Sequence, residues 1–258
     1  MNSARKSRFP TLFLNVFARV WAIWGLVSFA ASFLIVLIPS LLTALIPDPK
    51  GMAYFIKIAK VWMKIWLNLV GCPVTIRGAD YFEKGKTYIV TCNHTSLLDA
   101  PLSSPFIPGP NQTIAKKEFA RVPLFGWYYK RGAVIVDRKS DASRRKSFEL
   151  MKAALNKGFH MCIYPEGTRN KTGAPLKKFY DGAFTLAIDT GYSIIPTVIL
   201  NTGKALPSNR ILYMLPYKLA IHFLAPIATV GKTTEALKNE VYHAMYHHYI
   251  TSCPNTTN

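Results

Sequence analysis

Acid is what this sequence lacks most. Only 13 Asp and Glu stand against 32 Lys and Arg in 258 residues, a formal net charge of +19. That imbalance points to an anionic partner: nucleic acid, anionic lipid headgroups or phosphorylated substrates. Composition alone does not separate the three. Cysteine is sparse as well. Cys72, Cys92, Cys162 and Cys253 form no C-x-x-C pair, which leaves a zinc ribbon or a redox motif without support. Cys92 and Cys162 sit in apolar, strand-like runs and read as buried thiols of a reducing compartment. No G-x-S-x-G is present, so a serine nucleophile on a strand-to-helix elbow is excluded. His243 and His247 stand four apart without the pattern H-E-x-x-H or an acidic third ligand, and no metal site is expected there. No internal repeat or low-complexity tract occurs.

Charge disappears altogether between residues 20 and 46, VWAIWGLVSFAASFLIVLIPSLLTALI. A membrane span needs ~20 apolar residues, so the run is long enough to cross a bilayer. It is too long for a signal peptide, whose apolar core holds ~7–15. Arg5, Lys6, Arg8 and Arg19 precede it; Lys50, Lys57, Lys60 and Lys64 follow it. Positive charge on both flanks gives no orientation and suits a segment that enters and returns on one face. Pro39 is the expected bend, since it removes a helix hydrogen bond; one full span is the alternative. In residues 54–69, Lys57, Lys60 and Lys64 recur at helical spacing among Phe55, Ile58, Val61, Trp62, Ile65, Trp66 and Leu69. That pattern fits a helix in the headgroup region, or an ordinary helix docked on a core.

After Gly71-Cys72-Pro73 the pattern alternates. Strands are expected at 74–77, 88–92, 112–115, 133–137, 160–164, 193–200 and 219–224, and helices at 140–156, 182–190 and 234–250. Alternation of this kind predicts an α/β fold, a sheet flanked by helices, preceded by an N-terminal membrane-binding helical segment. The expected division is 1–70 for the membrane-associated helices, 71–253 for the α/β domain and 254–258 for a flexible tail.

The strand at 88–92 runs into Asn93-His94-Thr95-Ser96-Leu97-Leu98-Asp99. On one helix His94 and Asp99 would lie ~140° apart and would not meet. With His94 in the loop and a helix starting after Ser96, Asp99 falls in the first turn and can reach back to the imidazole. Its carboxylate would hold one ring N–H and leave the other nitrogen to accept a hydroxyl proton. The competing reading is a capping box, Ser96-x-x-Asp99, satisfying backbone N–H groups only. Location at the carboxyl end of a strand favours a ligand site.

Asn-His-x-Ser-x-x-Asp resembles the H-x4-D motif of the glycerolipid acyltransferases, the 1-acylglycerol-3-phosphate (lysophosphatidate) acyltransferase family. Three more blocks follow in that family's order: RGAVIVDR at 131–138, YPEGTR at 164–169 and IIPTV at 194–198. Ala-Lys-Lys-Glu-Phe at 115–119 and Val-Pro-Leu-Phe-Gly-Trp at 122–127 also look like the family. The resemblance covers about residues 74–226, and the N-terminal helices are similar in style to the short bacterial members. It implies His94 as general base and Asp99 as its orienting partner. Glu166, Gly167, Thr168 and Arg169 correspond to the block that binds glycerol phosphate, Arg138 and Lys116 to basic positions for the acceptor phosphate, and Pro196 to the fourth-block proline. One position departs: residues 179–184 read Phe-Tyr-Asp-Gly-Ala-Phe, with Asp181 where a basic residue is expected.

The residues themselves are consistent with that chemistry. Gly167 permits close backbone approach, and Arg169 can grip phosphate with two parallel hydrogen bonds; a Glu166–Arg169 surface ion pair is the plainer alternative. Pro196, in an apolar strand, suggests a strand edge or a bulge. The expected reaction is transfer of a fatty acyl chain from an acyl thioester to the free hydroxyl of lysophosphatidate. No cofactor is bound; acyl-CoA or acyl carrier protein serves as donor, and the partners are membrane phospholipid and lysophosphatidate, not nucleic acid. The expected location is the cytoplasmic face of the cell membrane. Other acceptors (glycerol 3-phosphate, another lysolipid or an amino-lipid) are the alternative within this chemistry. A non-catalytic protein that binds anionic membranes is the alternative outside it.

Overall fold

The computed structural model describes residues 8–136 and 141–252. Two helices come first, α1 (Arg8–Leu42) and α2 (Lys50–Leu69). They pack antiparallel, and their contacts explain why a run this apolar still folds to one partner. Trp62 Nε1 donates to Ser32 Oγ at 2.9 Å, Trp66 Nε1 to Ser28 Oγ at 3.2 Å and Trp21 Nε1 to the Val70 carbonyl at 3.0 Å. Phe29 and Phe33 fill the spaces between these indoles. A buried indole needs a partner for its N–H, and the small serines supply one without spacing the helices apart.

Pro39 does not make the bend. It lies inside α1, and the chain reverses over residues 43–49 instead. A proline in the last turn removes only one backbone bond, so the helix continues through it. The reversal is fixed further on. Asp48 Oδ1 accepts from the Met52 N–H at 3.0 Å, and a Cβ on Gly51 would stand 2.3 Å from the Ile46 carbonyl oxygen. The stretch Thr11–Leu45, most of α1 with the start of the turn after it, has mean hydropathy 2.3 and is long and apolar enough to cross a membrane.

The remaining elements are β1 (Val74–Arg77), β2 (Ile89–Cys92), α3 (Asp99–Ser103), β3 (Asn111–Lys116), α4 (Phe125–Gly132), β4 (Ala133–Val136), α5 (Asp141–Asn156), β5 (His160–Ile163), α6 (Gly182–Thr190), β6 (Ile194–Leu200), α7 (Thr202–Ala205), β7 (Leu219–Phe223) and α8 (Thr234–Ser252). All seven strands join one sheet in the order β1-β7-β6-β2-β5-β3-β4. Neighbours are parallel except β6 and β7. Alternate residues of the central strands feed two cores. Val90, Cys92 and Cys162 face the core that holds Trp62, Trp66 and Leu102. Ile89, Met161 and Ile163 face the one that holds Leu155, Phe184, Leu186, Val241 and Met245. The α1–α2 hairpin and α3 thus cover one face, and α5, α6 and α8 the other, as a parallel sheet buried on both sides requires.

Pro196 is not on an outer strand: β6 lies between β2 and β7 and is buried throughout. The missing N–H falls where β7 gives out. The three steps from Ile194 to Thr197 are met by four from Phe223 to Ile227, a bulge in the partner chain.

Candidate active site

β2 ends at the centre of the sheet, and the loop after it carries His94. His94 Nδ1 lies 2.8 Å from Asp99 Oδ2, with the imidazole side chain 21% exposed and the carboxylate 0%. The same oxygen accepts from the Thr95 N–H at 2.6 Å and the Ser96 N–H at 2.8 Å. Asp99 therefore serves both sequence readings at once, capping the turn and holding the ring. A carboxylate against Nδ1 makes that nitrogen the donor, so Nε2 carries the lone pair. Asp99 Oδ1 is buried and has no hydrogen-bond partner among the described residues, a cost offset by three donors converging on Oδ2.

The loop is held from three sides. Asn93 bonds β6 with both ends of its amide, Nδ2 to the Ile199 carbonyl at 2.9 Å and Oδ1 from the Ile199 N–H at 2.6 Å. The His94 N–H donates to Glu166 Oε1 at 2.8 Å, and the His94 carbonyl accepts from the Asn170 N–H at 2.6 Å. Ser96 Oγ donates to the Leu206 carbonyl at 2.8 Å. Beneath the imidazole, the Tyr164 ring stacks at 4.4 Å between centroids and 28° between planes. The Tyr164 hydroxyl is fixed in turn by Ser103 Oγ at 2.6 Å.

Glu166 is a brace and not a surface ligand. It is fully buried, and its second oxygen accepts from the Lys177 N–H at 3.1 Å. It forms no ion pair with Arg169 among the described residues. Burial pushes its carboxyl up to about 7, against the His94 and Lys177 N–H bonds and the Lys177 charge, which pull it down. The close approach that Gly167 allows is to protein: φ is +68°, and a Cβ there would meet the Tyr180 ring at 2.9 Å. Thr168 is exposed and its Oγ1 accepts from Lys177 Nζ at 2.8 Å.

Arg169 points elsewhere. It lines a groove of about 520 Å³ whose other walls are mostly apolar: Ala22, Gly25, Leu26 and Phe29 of α1, Trp66 of α2, Leu97, Leu98 and Pro101 just past His94, and Leu206, Ile211, Leu212 and Met214. The structure therefore joins Leu97 and Leu98 of the histidine loop, the guanidiniums of Arg169 and Arg210 and the apolar helix at one concavity. Lys116 ends β3 at the same carboxyl edge of the sheet and is exposed. Pro196 pairs in register with Thr91, inside the sheet and away from the groove lining. Arg138 lies outside the described residues, as do Cys253 and the tail 254–258. Asp181 is turned to α8, where Lys238 Nζ donates to it at 2.7 Å.

Residues 73–200, which carry every element of this site up to the end of β6, match the family model described as Acyltransferase. The chain carries an acyltransferase-family domain. A 1-acyl-sn-glycerol-3-phosphate acyltransferase of Cocos nucifera is 35% identical over 188 residues, 71% of this chain and 59% of that protein. The alpha form from Mus musculus is 32% identical over 185 residues, 69% of this chain and 64% of that protein. The chain spans about three fifths of the length of these curated relatives. The solved structure of the 1-acyl-sn-glycerophosphate acyltransferase PlsC from Thermotoga maritima superposes with a TM-score of 0.76, covering 92% of this chain and 95% of that one at 23% identity. That likeness extends the shared fold beyond the acyltransferase domain to the helical hairpin. Three residues of the domain went unassigned from sequence: Asn93 and Tyr164, both inside the motifs that pointed to the site, and Lys177, which no motif marked.

Proposed function

We propose that this chain transfers a fatty acyl group from an acyl thioester to the free hydroxyl of 1-acylglycerol 3-phosphate, forming phosphatidate. The observation that carries the reading is an imidazole oriented by Asp99 in a loop whose Leu97 and Leu98 line an apolar groove with Arg169 on its wall. His94 Nε2 takes the hydroxyl proton as the oxygen attacks the thioester carbonyl. The C–O bond forms, the C–S bond breaks, and the imidazolium returns its proton to the departing thiolate. Asp99 keeps the ring in the tautomer that accepts. The acceptor phosphate pairs with Arg169, helped by Lys116 at the end of β3 and, as the resemblance of its block implies, by Arg138. The relatives named for this acceptor support the choice of substrate.

The donor is coenzyme A-linked or carrier-protein-linked; both are acidic and suit a chain of +19. Thioesters of either kind are made in the cytoplasm, so the site faces that side of the membrane that α1 enters. Thiol release with acyl thioester and lysophosphatidate tests the reading. His94→Ala should lower kcat about a thousandfold, within the range of a lost general base, and leave vesicle binding unchanged. Wild-type protein that binds vesicles and releases no thiol would identify a non-catalytic membrane protein instead.

A further inference from the structure

The groove has a second cation that no motif covers. Arg210 lines it together with Arg169, and also lines an adjoining open hollow with Arg19. Its guanidinium lies over the Tyr213 ring at 4.5 Å from the centroid, a contact that holds the side chain without neutralising it. No acidic residue lines either concavity. Among the described residues neither Arg169 nor Arg210 has a carboxylate partner.

The segment that bears Arg210 is tied at both ends to the machinery around the groove. At one end the Leu206 carbonyl accepts from Ser96 of the His94 loop at 2.8 Å. At the other the Met214 N–H donates to the Ala18 carbonyl of α1 at 3.0 Å. Met214 also packs close on Gly25, where a Cβ would stand 2.9 Å from its Sδ. Between the ties, Ile211 is 86% exposed and Leu212 49%, beside the equally exposed apolar side of α1. An apolar channel that starts at the catalytic loop, opens along a lipid-facing helix and carries two unpaired guanidiniums matches one kind of molecule: a phosphate monoester with a single long alkyl chain.

We infer that the segment 206–214 forms the acceptor's seat, with Arg210 as the second guanidinium on its phosphate and the α1-side groove holding its acyl chain. This rests on the proposed reaction and names the subsite that selects its acceptor. Two guanidiniums on one phosphate exceed what a neutral headgroup can use. The assay is thiol release by the full chain in mixed micelles, with lysophosphatidate and acyl thioester varied in turn. Arg210→Ala, at an exposed position, should raise KM for lysophosphatidate about tenfold or more, with kcat and the thioester KM little changed. Arg210→Lys should recover part of the loss. Leu26→Trp, which fills the groove from an exposed site on α1, should raise KM for an acceptor with a long acyl chain more than for one with a short chain. An unchanged acceptor KM in Arg210→Ala, or an equal rise in the thioester KM, overturns the assignment while the wild type remains active. A wild type that turns over no lysophosphatidate overturns the proposed reaction itself.

Discussion

At the scale of single residues, the site depends on a carboxyl group that never meets solvent. Glu166 holds the His94 and Lys177 N–H groups with its two oxygens. Gln at this position offers one acceptor and sets an NH2 against a backbone donor, so Glu166→Gln should lower kcat by tenfold or more, read by thiol release. The same group leaves a signature in stability. Its folded pKa is about 7 against an ordinary 4.5. Between those values the folded chain keeps a proton that the unfolded chain has lost, so this residue makes stability fall as pH rises through the window. A shift of this size is worth roughly 3 kcal/mol. His160 acts with the opposite sign. Burial pushes it down to about 4 from 6.5, and Tyr88 N–H donates to its Nδ1 at 3.0 Å; its share is lost as pH falls below 6.5. Denaturant titrations of wild type and Glu166→Gln at pH 5 and pH 8 separate the two. The difference between the proteins should tilt with pH, and a flat difference would exclude a buried titrating acid.

Tyr164 makes a second residue-scale prediction. A flat ring under the imidazole limits its tilt, so Tyr164→Leu should lower kcat about tenfold and leave both KM values in place. Tyr164→Phe keeps the stack and loses only the Ser103 bond, and should retain most of the rate. A Leu variant with normal kcat and a lower melting temperature would assign the ring to packing alone. Neither role was legible from sequence: the motif shows that an aromatic precedes Pro165, but only the return of β5 beside β2 puts it under His94. The His94–Asp99 contact was legible because it is local, five residues apart with a turn between. The burial of Glu166 was not legible, because it depends on the loop 165–180 folding back, which no spacing reports.

Among elements, the strands were read from sequence with ends correct to one or two residues. β2, β5 and β6 are short apolar runs buried on both faces, while β1 and β3 are more polar and partly exposed. The short helices α4 and α7 were missed, since runs of eight and four residues do not establish a 3.6-residue period, while α3 was read only as the turn that brings Asp99 back to His94. For α2, the docked-helix reading holds on one side of the helix, and the lysines lie on the other. Met52, Phe55, Ala59, Trp62, Met63 and Trp66 are buried, while Tyr54, Val61, Ile65 and Leu69 are exposed next to Lys57, Lys60 and Lys64. The buried side makes the hairpin stable. Trp62→Ala should cost about 3–5 kcal/mol, measured by denaturant unfolding in detergent. Loss below about 1 kcal/mol would mean that α1 and α2 do not pack on this seam.

For the whole molecule, exposed apolar residues of α1 and exposed lysines of α2 belong to one helical hairpin. At 1.5 Å per residue, the 35 residues of α1 run well beyond the ~30 Å hydrocarbon thickness. One side of the helix is committed to α2 and the groove, and the lysines of α2 flank that side. This arrangement suits a hairpin whose apolar flank sinks into the bilayer while its basic flank stays at the headgroups. Each lysine near an anionic surface contributes ~1 kcal/mol. Lys57, Lys60 and Lys64 all changed to Glu should weaken binding to phosphatidylglycerol vesicles by about a hundredfold or more, and binding to phosphatidylcholine vesicles much less. Equal loss on both would assign the membrane contact to apolar burial only.

The histidine loop is stitched to partners far along the chain: Glu166 lies 72 residues from His94, Ile199 lies 106 from Asn93, and Leu206 lies 110 from Ser96. Contacts of such long sequence separation close late in folding. A chain leaving the ribosome has long since made its membrane hairpin when these partners emerge. The protein is therefore moored before it is competent, and a product truncated within β6 would sit on the bilayer with its imidazole unmoored and inert.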